Sequence, residues 1–439
     1  MRTPRDQKSN GSKPRGLRQW LWKWHVIAGL LCLPVMAMLC ITGSIYLFKD
    51  NYNDYRYQDA RFVDASSSTS MASYQEQLET AQEFSDHPIM SVTLATDANQ
   101  ATQFRKHAKA HARNLVYVNP YTNQVSGTFE QPESLMYTVR KLHGELLLGQ
   151  TGSLIVELVA SWFIVLAITG ICIWWPARSF TDKNGSIRKG GFFTVRRNNG
   201  KRVFWRDMHS VLAFWMSIFM LIILAGGMPW TDLFGDNLKW VQKKTDTGYP
   251  KHWRNAKGLS SEITSENQTS LALDKVVEIA NDKNLEGTLT IKLPQDAKGV
   301  FSVSNTAFWL EQQQVLHIDQ YSGELIKALT WQQVGILMEL RQVFMRLHQG
   351  EYGIANLVAV LLVAMTFFIA ILASLISYFL RKPKGELGLP KPPNGFQPDK
   401  LVFVAIVILA LLFPAFAISA ALICIVSLLL QQLKKPKAV

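Results

Sequence analysis

The chain has 439 residues, of which 48% are apolar, and its formal net charge is +13. The apolar residues concentrate in blocks of 20 to 30, and most Lys and Arg residues lie just outside those blocks. This pattern excludes a soluble enzyme, a disordered chain and a collagen-like protein. Because the positive charge is divided among short segments between the blocks, nucleic acid is not expected as a partner.

Five apolar blocks are long enough to span a bilayer, which takes about 20 apolar residues in a helix. The first follows a basic N-terminal region but is too long for a cleaved signal peptide, so we predict that it remains as an anchor. The predicted segments of this polytopic α-helical membrane protein are a cytoplasmic tail 1–23, TM1 24–48, a first outer domain 49–142, TM2 143–176, a cytoplasmic loop 177–207, TM3 208–230, a second outer domain 231–345, TM4 346–380, a cytoplasmic linker 381–400, TM5 or a kinked hairpin 401–430, and a tail 431–439.

The placement of Lys and Arg predicts the orientation of the chain, since cytoplasmic loops carry an excess of these residues. Seven Lys/Arg against one acidic residue lie in 1–23, nine against two in 177–207, and five against two in 381–400. The long segment 49–152 carries nine Lys/Arg and twelve acidic residues, and the long segment 231–353 carries thirteen Lys/Arg and fifteen acidic residues. The N-terminus and the short loops are therefore expected in the cytoplasm, and the two long segments on the other side.

The fifth block would be about 45 Å long as one helix at 1.5 Å per residue, which is too long for one upright span and too short for two. Pro414 divides the block, and Lys434, Lys435 and Lys437 follow it. A kinked span places these lysines outside, whereas a short hairpin that turns near Pro414 keeps them inside. We prefer the kinked span.

An internal repeat emerges from self-comparison. Segments Arg140–Gly152 (RKLHGELLLGQTG) and Arg346–Gly353 (RLHQGEYG) each place Arg and then Leu-His before an apolar block. The outer segments share β-like runs around polar turns, YVNPYTNQV and HIDQYSGEL, each after a helical stretch. We therefore expect a four-helix transmembrane core made of two repeats, one added C-terminal helix, and two small α+β outer domains.

Four of the nine histidines lie at the predicted ends of the first four spans, His25 and His209 inside, His143 and His348 outside. A single histidine there is commonly interfacial, but one per helix at matching repeat positions indicates a function. Zinc usually needs further Cys, Asp or Glu ligands, whereas a haem needs two axial ligands and an apolar slot. We therefore predict two haems, one bound by His25 and His209, the other by His143 and His348, because each pair lies at one predicted depth.

Basic residues beside these histidines are suited to bind haem propionates. Arg140 and Arg346 precede the outer pair and are predicted as cofactor-binding residues, with contact to lipid headgroups as the other interpretation. Arg18, Lys23 and Arg206 are the candidates at the inner pair. Small residues that would let a macrocycle approach a helix are Gly29, Gly144 and Gly149.

Two further features, the spacing of His107 and His111 and the scarcity of charge within the spans, do not indicate a functional site. His107 and His111 have the i, i+4 spacing of helical metal ligands, but their basic surroundings favour a solvated hairpin, with a metal site as the alternative. Few charged residues lie within the spans, Glu157 being the exception, and this argues against an ion pathway.

The runs Leu142–Pro176, Trp205–Trp215 and Gly226–Gly235 resemble the PepSY-associated transmembrane (PepSY_TM) family, and the strings PYTNQVSG and QYSGEL resemble its PepSY outer domains. The likeness covers about residues 18–381, and 401–430 resembles the C-terminal extension of longer members. The family includes bacterial inner-membrane di-haem reductases of ferric siderophores such as ferrioxamine. The resemblance implies two b-type haems, with the four helix-end histidines at the ligand positions. It also implies two PepSY-like periplasmic domains and a multi-pass inner-membrane protein.

The expected function is therefore a ferric-chelate reductase. It would carry electrons from a cytoplasmic or quinol donor to a periplasmic ferric siderophore or other Fe(III) chelate, and so release Fe(II) for iron uptake. No catalytic residue beyond the haems is expected, and no Gly-rich dinucleotide motif is found. The alternative is a membrane-anchored peptidase inhibitor or chaperone-like protein without redox activity, which would explain the outer domains but not the four histidines.

Overall fold

The computed structural model describes residues 12–65, 70–108, 112–175, 191–263, 268–390 and 400–433. Several predictions lie outside the described residues. They concern residues 1–11 of the tail, residues 177–190 of the loop, residues 391–399 of the linker, the lysines after residue 433, and His111.

The described chain consists of helices and strands in alternating groups. The helices are α1 Ser12–Tyr46, α2 Lys49–Arg56, α3 Gln58–Arg61, α4 Tyr74–Phe84, α5 Leu135–Glu145, α6 Gln150–Trp174, α7 Lys201–Gly227, α8 Leu233–Lys244, α9 Leu273–Asn281, α10 Ile336–Gln349, α11 Gly353–Arg381, α12 Lys400–Leu412 and α13 Pro414–Leu433. The strands are β1 Ile89–Thr93, β2 Thr102–Lys106, β3 Asn114–Asn119, β4 Gln124–Glu130, β5 Thr288–Lys292, β6 Val300–Thr306, β7 Gln314–Asp319 and β8 Leu325–Thr330.

The described residues fall into two compact units. A helical unit lies within Met1–Leu47, Arg140–Leu238 and Phe344–Val439, and a sheet unit lies within Phe48–Val139 and Lys239–Val343.

Four helices in the described part of the helical unit are long and apolar enough to cross a membrane: Gly16–Tyr46, Gln150–Trp174, Lys201–Trp230 and Gly353–Arg381. Helices suit this environment because they satisfy their backbone hydrogen bonds internally. α7 packs against α11, and α1 packs against α6 and α11. At the centre of this packing the buried rings of Phe163 and Phe367 meet edge to face, with centroids 5.2 Å apart. The predicted four-helix membrane core is confirmed.

The second and fourth spans begin later than predicted. Residues with positive φ separate each span from a preceding helix: Leu146, Leu147 and Gly149 between α5 and α6, and Gly350 and Gly353 at the junction of α10 and α11. A left-handed backbone cannot continue a right-handed helix. His143 and His348 therefore lie on α5 and α10, not on the spans themselves. Hydropathy does not reveal the first break because the residues around it are themselves leucines.

The fifth apolar block forms two helices, α12 and α13, which are separated at Phe413. Pro414 is the first residue of α13, a position that tolerates proline because no intrahelical N–H bond is lost there. The predicted interruption at Pro414 is therefore present, and each half is a separate helix.

The sheet unit contains one antiparallel sheet of eight strands in the order β4-β3-β2-β1-β5-β6-β7-β8. Each predicted outer segment supplies four strands and one of the two helices, α4 and α9, that pack on the sheet. The two halves join edge to edge through β1 and β5. α4 and α9 contribute to the core on one face, where Val92, Phe104, Ile291 and Val303 are almost fully buried. The helix-then-strands pattern of each half agrees with the prediction, but the two predicted outer domains form one compact unit, because β1 and β5 pair and make a single sheet.

The predicted repeat is visible in the β3–β4 and β7–β8 turns. Asn119 accepts a hydrogen bond from the Tyr121 amide at 2.9 Å, and Asp319 accepts one from the Tyr321 amide at 2.8 Å. Each tyrosine hydroxyl then donates to a loop carbonyl of its own half, at 2.8 Å and 2.9 Å. Since both turns use the same Asx geometry, the two halves repeat in detail as well as in order.

Glu157, the predicted exception within a span, is fully buried in α6. Its carboxylate accepts hydrogen bonds from the backbone amides of Leu233 at 2.8 Å and Phe234 at 3.0 Å. These amides open α8, where a helix leaves N–H groups without intrahelical partners. Glu157 therefore has a structural role, as the cap of α8.

We expect Glu157→Gln to destabilise the helical unit by about 1–3 kcal/mol, because a neutral amide replaces a carboxylate that accepts two buried hydrogen bonds. Thermal unfolding in detergent measures the loss. Glu83→Gln, at an exposed position of α4, is the control and should leave the midpoint unchanged. An unchanged midpoint for Glu157→Gln would contradict the capping role.

Candidate functional site

The helical unit brings the four predicted histidines together as two facing pairs. His25 on α1 faces His209 on α7, with ring centroids 6.4 Å apart and ring planes at 58°. His143 on α5 faces His348 on α10, with centroids 6.2 Å apart and planes at 63°. These are the pairings that the repeat and the predicted depths indicated.

In the first pair, the Nδ1 atom of each ring is hydrogen-bonded to a residue of a neighbouring helix. His25 Nδ1 lies 3.0 Å from the Thr169 hydroxyl oxygen on α6. His209 Nδ1 lies 3.0 Å from the backbone carbonyl oxygen of Ala370 on α11. Each ring is therefore oriented by a helix other than its own.

The second pair repeats this arrangement. His143 Nδ1 lies 2.9 Å from the Thr42 hydroxyl oxygen on α1, and His348 Nδ1 lies 2.8 Å from the backbone carbonyl oxygen of Ile223 on α7. Each pair thus uses one threonine and one carbonyl, which is the symmetry expected of a duplicated unit.

These partners determine the tautomer of all four rings. A carbonyl oxygen only accepts, so Nδ1 of His209 and of His348 carries the proton. Each threonine hydroxyl donates its one proton at 2.8 Å to the carbonyl four residues earlier, Met38 for Thr42 and Val165 for Thr169. The hydroxyl oxygen therefore accepts from the histidine Nδ1–H. All four Nε2 atoms keep a lone pair, which is the state in which a neutral imidazole binds a metal.

Small residues flank the rings beside these hydrogen bonds. A Cβ added at Gly43 would lie 3.1 Å from Cε1 of His143, one at Gly170 would lie 3.2 Å from Cε1 of His25, and one at Gly227 would lie 3.3 Å from Cε1 of His348. These distances are tighter than ordinary side-chain contacts. Sequence reasoning missed these glycines and both threonines, although the repeated string Ile-Thr-Gly at 41–43 and 168–170 was a usable signal.

Gly29, Gly144 and Gly149, the glycines predicted to admit a macrocycle, do not contact the histidine rings in the way that Gly43, Gly170 and Gly227 do. Gly29 borders a cavity beside His25, and a Cβ there would meet Leu166 at 3.9 Å. Apart from the adjacent residues and the backbone of the same helix, no heavy atom of the described chain lies within 4 Å of a Cβ added at Gly144 or Gly149. Gly149 has φ +59° in the break before α6, so its role is in the chain turn.

Helix geometry sets the separation of the two pairs. On α1, His25 precedes Thr42 by 17 residues, and on α7, His209 precedes Gly227 by 18 residues. At 1.5 Å per residue both intervals correspond to about 26 Å. The hydrocarbon core of a bilayer is about 30 Å thick, so the two pairs lie near opposite ends of the spanning bundle.

A cavity of about 750 Å³ borders the first pair, a size within the range of about 300–1,000 Å³ typical of small-molecule and cofactor pockets. His25 and His209 both line it, and its walls include apolar side chains such as Phe163, Leu166 and Phe367. Four arginines of the described residues also line it, namely Arg18, Arg202, Arg206 and Arg381. Of these, the sequence had indicated Arg18 and Arg206.

Arg206 is held in place by Asp207, which is fully buried. Arg206 Nη2 lies 2.8 Å from Asp207 Oδ1, and Arg196 Nε lies 2.7 Å from Asp207 Oδ2. The Arg206 guanidinium also lies 5.8 Å from the centre of the Trp174 ring. One buried carboxylate thus orders two cations, one of which borders the cavity beside His209.

At the second pair, the two predicted arginines are not equivalent. Arg140 lies three residues before His143 on α5, so both lie on one helix face. Arg346 lies two residues before His348 on α10, a spacing at which side chains do not face each other. Lys141, the position that matches Arg346, pairs with Glu145.

A second close pair of histidines shows that proximity alone does not make a metal site. His252 and His317 have centroids 6.3 Å apart. His317, however, uses both nitrogens, Nδ1 with the Ser302 hydroxyl at 2.9 Å and Nε2 with the His252 carbonyl at 3.0 Å. Since a bonded Nε2–H is not a metal ligand, this pair is structural. His107 follows β2 and is exposed.

The donor set fits a group with two axial ligands. Within the described part of the chain, no group of three or more His, Cys, Asp or Glu residues is placed to hold a metal ion, which disfavours a four-ligand zinc site. Two imidazoles bound on opposite sides of one metal at about 2 Å place their ring centres about 6 Å apart. The observed 6.4 Å and 6.2 Å agree with this arrangement. With an apolar cavity and arginines beside it, the first pair has the features that a haem requires.

Thr169→Val tests the hydrogen bond that orients His25. Valine keeps the shape but leaves the buried Nδ1–H of His25 without its acceptor, so we expect haem affinity at the first pair to fall about 10–100-fold. Thr169→Ser should retain it. Haem transfer to apomyoglobin measures the difference, and equal transfer rates for the two variants would contradict the orienting role.

The profile of the PepSY-associated TM region matches residues 22–386, most of the chain and all four spanning helices, and the protein belongs to this family. A comparison with curated proteins finds no match.

Proposed function

We propose that this member of the PepSY-associated TM family is a di-haem b-type reductase of the bacterial inner membrane. It would carry electrons from the cytoplasmic side to a periplasmic ferric siderophore or other Fe(III) chelate, releasing Fe(II) for uptake. The Lys/Arg distribution supports the orientation, with a cytoplasmic N-terminus and the sheet unit in the periplasm. The observation that carries the proposal is the presence of two histidine pairs, each with both Nδ1 atoms bonded and both Nε2 atoms available.

Haem iron, when bound, exchanges one electron at a time between its ferric and ferrous states. The chain's own residues would bind the haem and hold the ligand rings in place. The Nε2 atoms of His25 and His209 would hold the haem iron at one site, and those of His143 and His348 would hold it at the other. Thr42, Thr169 and two backbone carbonyls hold the rings in the metal-binding tautomer. The apolar side chains that line the first cavity would shield a bound haem from water.

Arginines near each histidine pair would supply counter-charges for carboxylate groups of the cofactor. At the first pair, Arg18, Arg202, Arg206 and Arg381 border the cavity. At the second pair we assign this role to Arg140, which shares the face of His143, and to Arg346. Of these two, the helix spacing favours Arg140.

The substrate chemistry is a one-electron reduction. Fe(III) in the chelate takes one electron and becomes Fe(II), and the hard oxygen ligands then hold the iron less tightly. The electron comes from a cytoplasmic or quinol donor. A polar chelate cannot enter the hydrocarbon core, so it meets the His143–His348 side, about 26 Å along α1 from His25.

A reduced-minus-oxidised visible spectrum of the purified protein, combined with its haem-to-protein ratio, tests the proposal. We expect two low-spin b-type haems per chain, which a ferric chelate reoxidises. A colourless protein that is correctly folded would reject the proposal and favour the inhibitor or chaperone-like alternative.

Single-site variants test the direction of transfer. In stopped-flow experiments with dithionite-reduced protein, a variant that retains only the His143–His348 site should be reoxidised by an external ferric chelate. A variant that retains only the His25–His209 site should be reoxidised slowly. Fast reoxidation of the latter would contradict the assignment of the two sites to the two sides.

A further inference from the structure

One face of the eight-stranded sheet carries a row of polar and basic residues. Ser91 on β1 pairs with Arg105 on β2 and with Lys292 on β5. Lys292 pairs in turn with Ser302 on β6. Directly paired residues project on the same face of a sheet, whereas their neighbours Val92, Phe104 and Ile291 belong to the apolar core. Arg105 and Lys292 are therefore separated by two strand spacings, about 10 Å.

A cavity of about 740 Å³ lies over this row, within the sheet unit. Arg105 and Lys292 line it, together with Tyr249, Trp253 and Arg254 of the segment after α8. The Tyr249 and Trp253 rings stack with centroids 5.6 Å apart, and the Arg254 guanidinium lies 4.8 Å from the centre of the Tyr249 ring. Lys292 Nζ donates to the Arg254 carbonyl at 2.8 Å. The segment with Tyr249, Trp253 and Arg254 is therefore hydrogen-bonded to the sheet through Lys292.

The cavity concentrates positive charge. Arg105, Arg254 and Lys292 line it, and none of the described residues that line it is acidic. Partial burial and the charges of Arg105 and Arg254 lower the pKa of Lys292, and burial with the charge of Arg254 lowers the pKa of Arg341 nearby. Like charges held this close destabilise one another. An anionic ligand would relieve this repulsion.

We propose that this cavity binds a polycarboxylate, with citrate and its Fe(III) complex as the representative ligands. Arginine side chains bind carboxylates through paired charge-assisted hydrogen bonds, and Gln313 and Gln314 line the same cavity. Arg105 and Lys292 are carried by strands about 10 Å apart, so a ligand with several carboxylate groups can contact both cations, which favours a polycarboxylate over a compact ion such as phosphate.

The identification of this ligand with the reduced substrate rests on the proposed function, whereas anion binding by the sheet unit does not. If both hold, the preferred substrate class is an anionic carboxylate chelate of Fe(III). A cationic chelate such as ferrioxamine would be repelled by the same three cations.

Isothermal titration of the full-length protein in neutral detergent tests the binding. We expect citrate and ferric citrate to bind, with weakening as salt increases, and expect ferrioxamine and inorganic phosphate to bind at least about tenfold more weakly. Equal affinity for phosphate would overturn the polycarboxylate assignment in favour of a general oxyanion site. Absence of binding by citrate and ferric citrate would overturn the proposal.

Variants on the cavity wall locate the site. Arg254→Gln should weaken citrate binding about tenfold or more, since one charge-assisted contact is lost. Gln313→Glu should abolish it and Gln313→Lys should strengthen it, an opposite pair that unfolding cannot mimic. Lys283→Gln removes an exposed lysine outside the cavity and serves as the matched control. Equal binding by all four variants would place the anion elsewhere.

The haem content of the same preparations separates the two proposals. Citrate binding by a protein without haem would support the cavity and reject the reductase. Two haems with no citrate binding would support the reductase and reject the cavity.

Discussion

Replacing His25 or His209 by alanine is expected to remove one of two haems, and replacing His143 or His348 the other. Under the proposed function each ring would supply one of the two Nε2 ligands of a haem, and the ring centroids of the two pairs lie 6.4 Å and 6.2 Å apart, close to the separation of two imidazoles that share one metal. Each variant should therefore contain about half the wild-type haem, measured by the pyridine haemochrome method. The double variant His25→Ala/His209→Ala should lose no more than either single variant, because the two residues act as a unit.

His87→Ala, at an exposed loop position of the sheet unit, is the control and should retain both haems. The pattern of losses decides between pairings. If His25→Ala and His143→Ala removed the same haem, the pairing by helix depth would be wrong. If any of the four single variants kept two low-spin haems with unchanged spectra, that histidine would not be a ligand.

The second large effect is expected for Gly226→Ala. A Cβ at Gly226 of α7 would overlap the Phe344 carbonyl oxygen and would lie 2.6 Å from the His348 Cβ, both on α10. Backbone atoms cannot rotate away as a flexible side chain does, so α10 must shift and carry His348 with it. We expect loss of the His143–His348 haem and retention of the other, because His209 lies 17 residues earlier on α7.

Gly248→Ala is the control. It adds the same methyl group in the sheet unit, where the contact printed for the new Cβ is an ordinary one, 3.8 Å to the Gln242 Cβ, and it should keep both haems. Haem content and the thermal midpoint in detergent measure both variants. Two haems and an unchanged midpoint in Gly226→Ala would show that α10 tolerates the displacement and would contradict the assigned close packing.

Much of the fold and of the candidate site could be predicted from local sequence patterns. Hydropathy identified the four spanning helices because a spanning helix must be apolar along about 20 residues. The matching Leu-His positions identified His143 and His348, and the starts of the first and third apolar blocks identified His25 and His209. Their pairing followed because duplicated units place equivalent residues at equivalent depths. The turn strings around Tyr121 and Tyr321 predicted the repeat within the sheet, because Asx turns depend on a few adjacent residues.

Other features depended on contacts between residues distant in sequence. The hydrogen bonds from His25 to Thr169 and from His143 to Thr42 span 144 and 101 residues, and the repeated Ile-Thr-Gly string does not say which ring it meets. The breaks before α6 and α11 were missed because backbone φ, not hydropathy, ends those helices. Arg202 and Arg381 joined Arg18 and Arg206 only when the helices packed around one cavity.

The sequence by itself determined the membrane class, the two-repeat plan and the four candidate ligands. A spanning helix is visible as about 20 consecutive apolar residues, and the repeat and its histidines are visible when short strings along the chain are compared. Only the tertiary structure decided three further properties. These are the tautomer of each ring, the joining of the two half-sheets through β1 and β5, and the convergence of Arg105, Arg254 and Lys292 on one cavity. The physical reason is common to all three, because hydrogen-bond direction, strand pairing and charge proximity are relations between surfaces that meet only after folding.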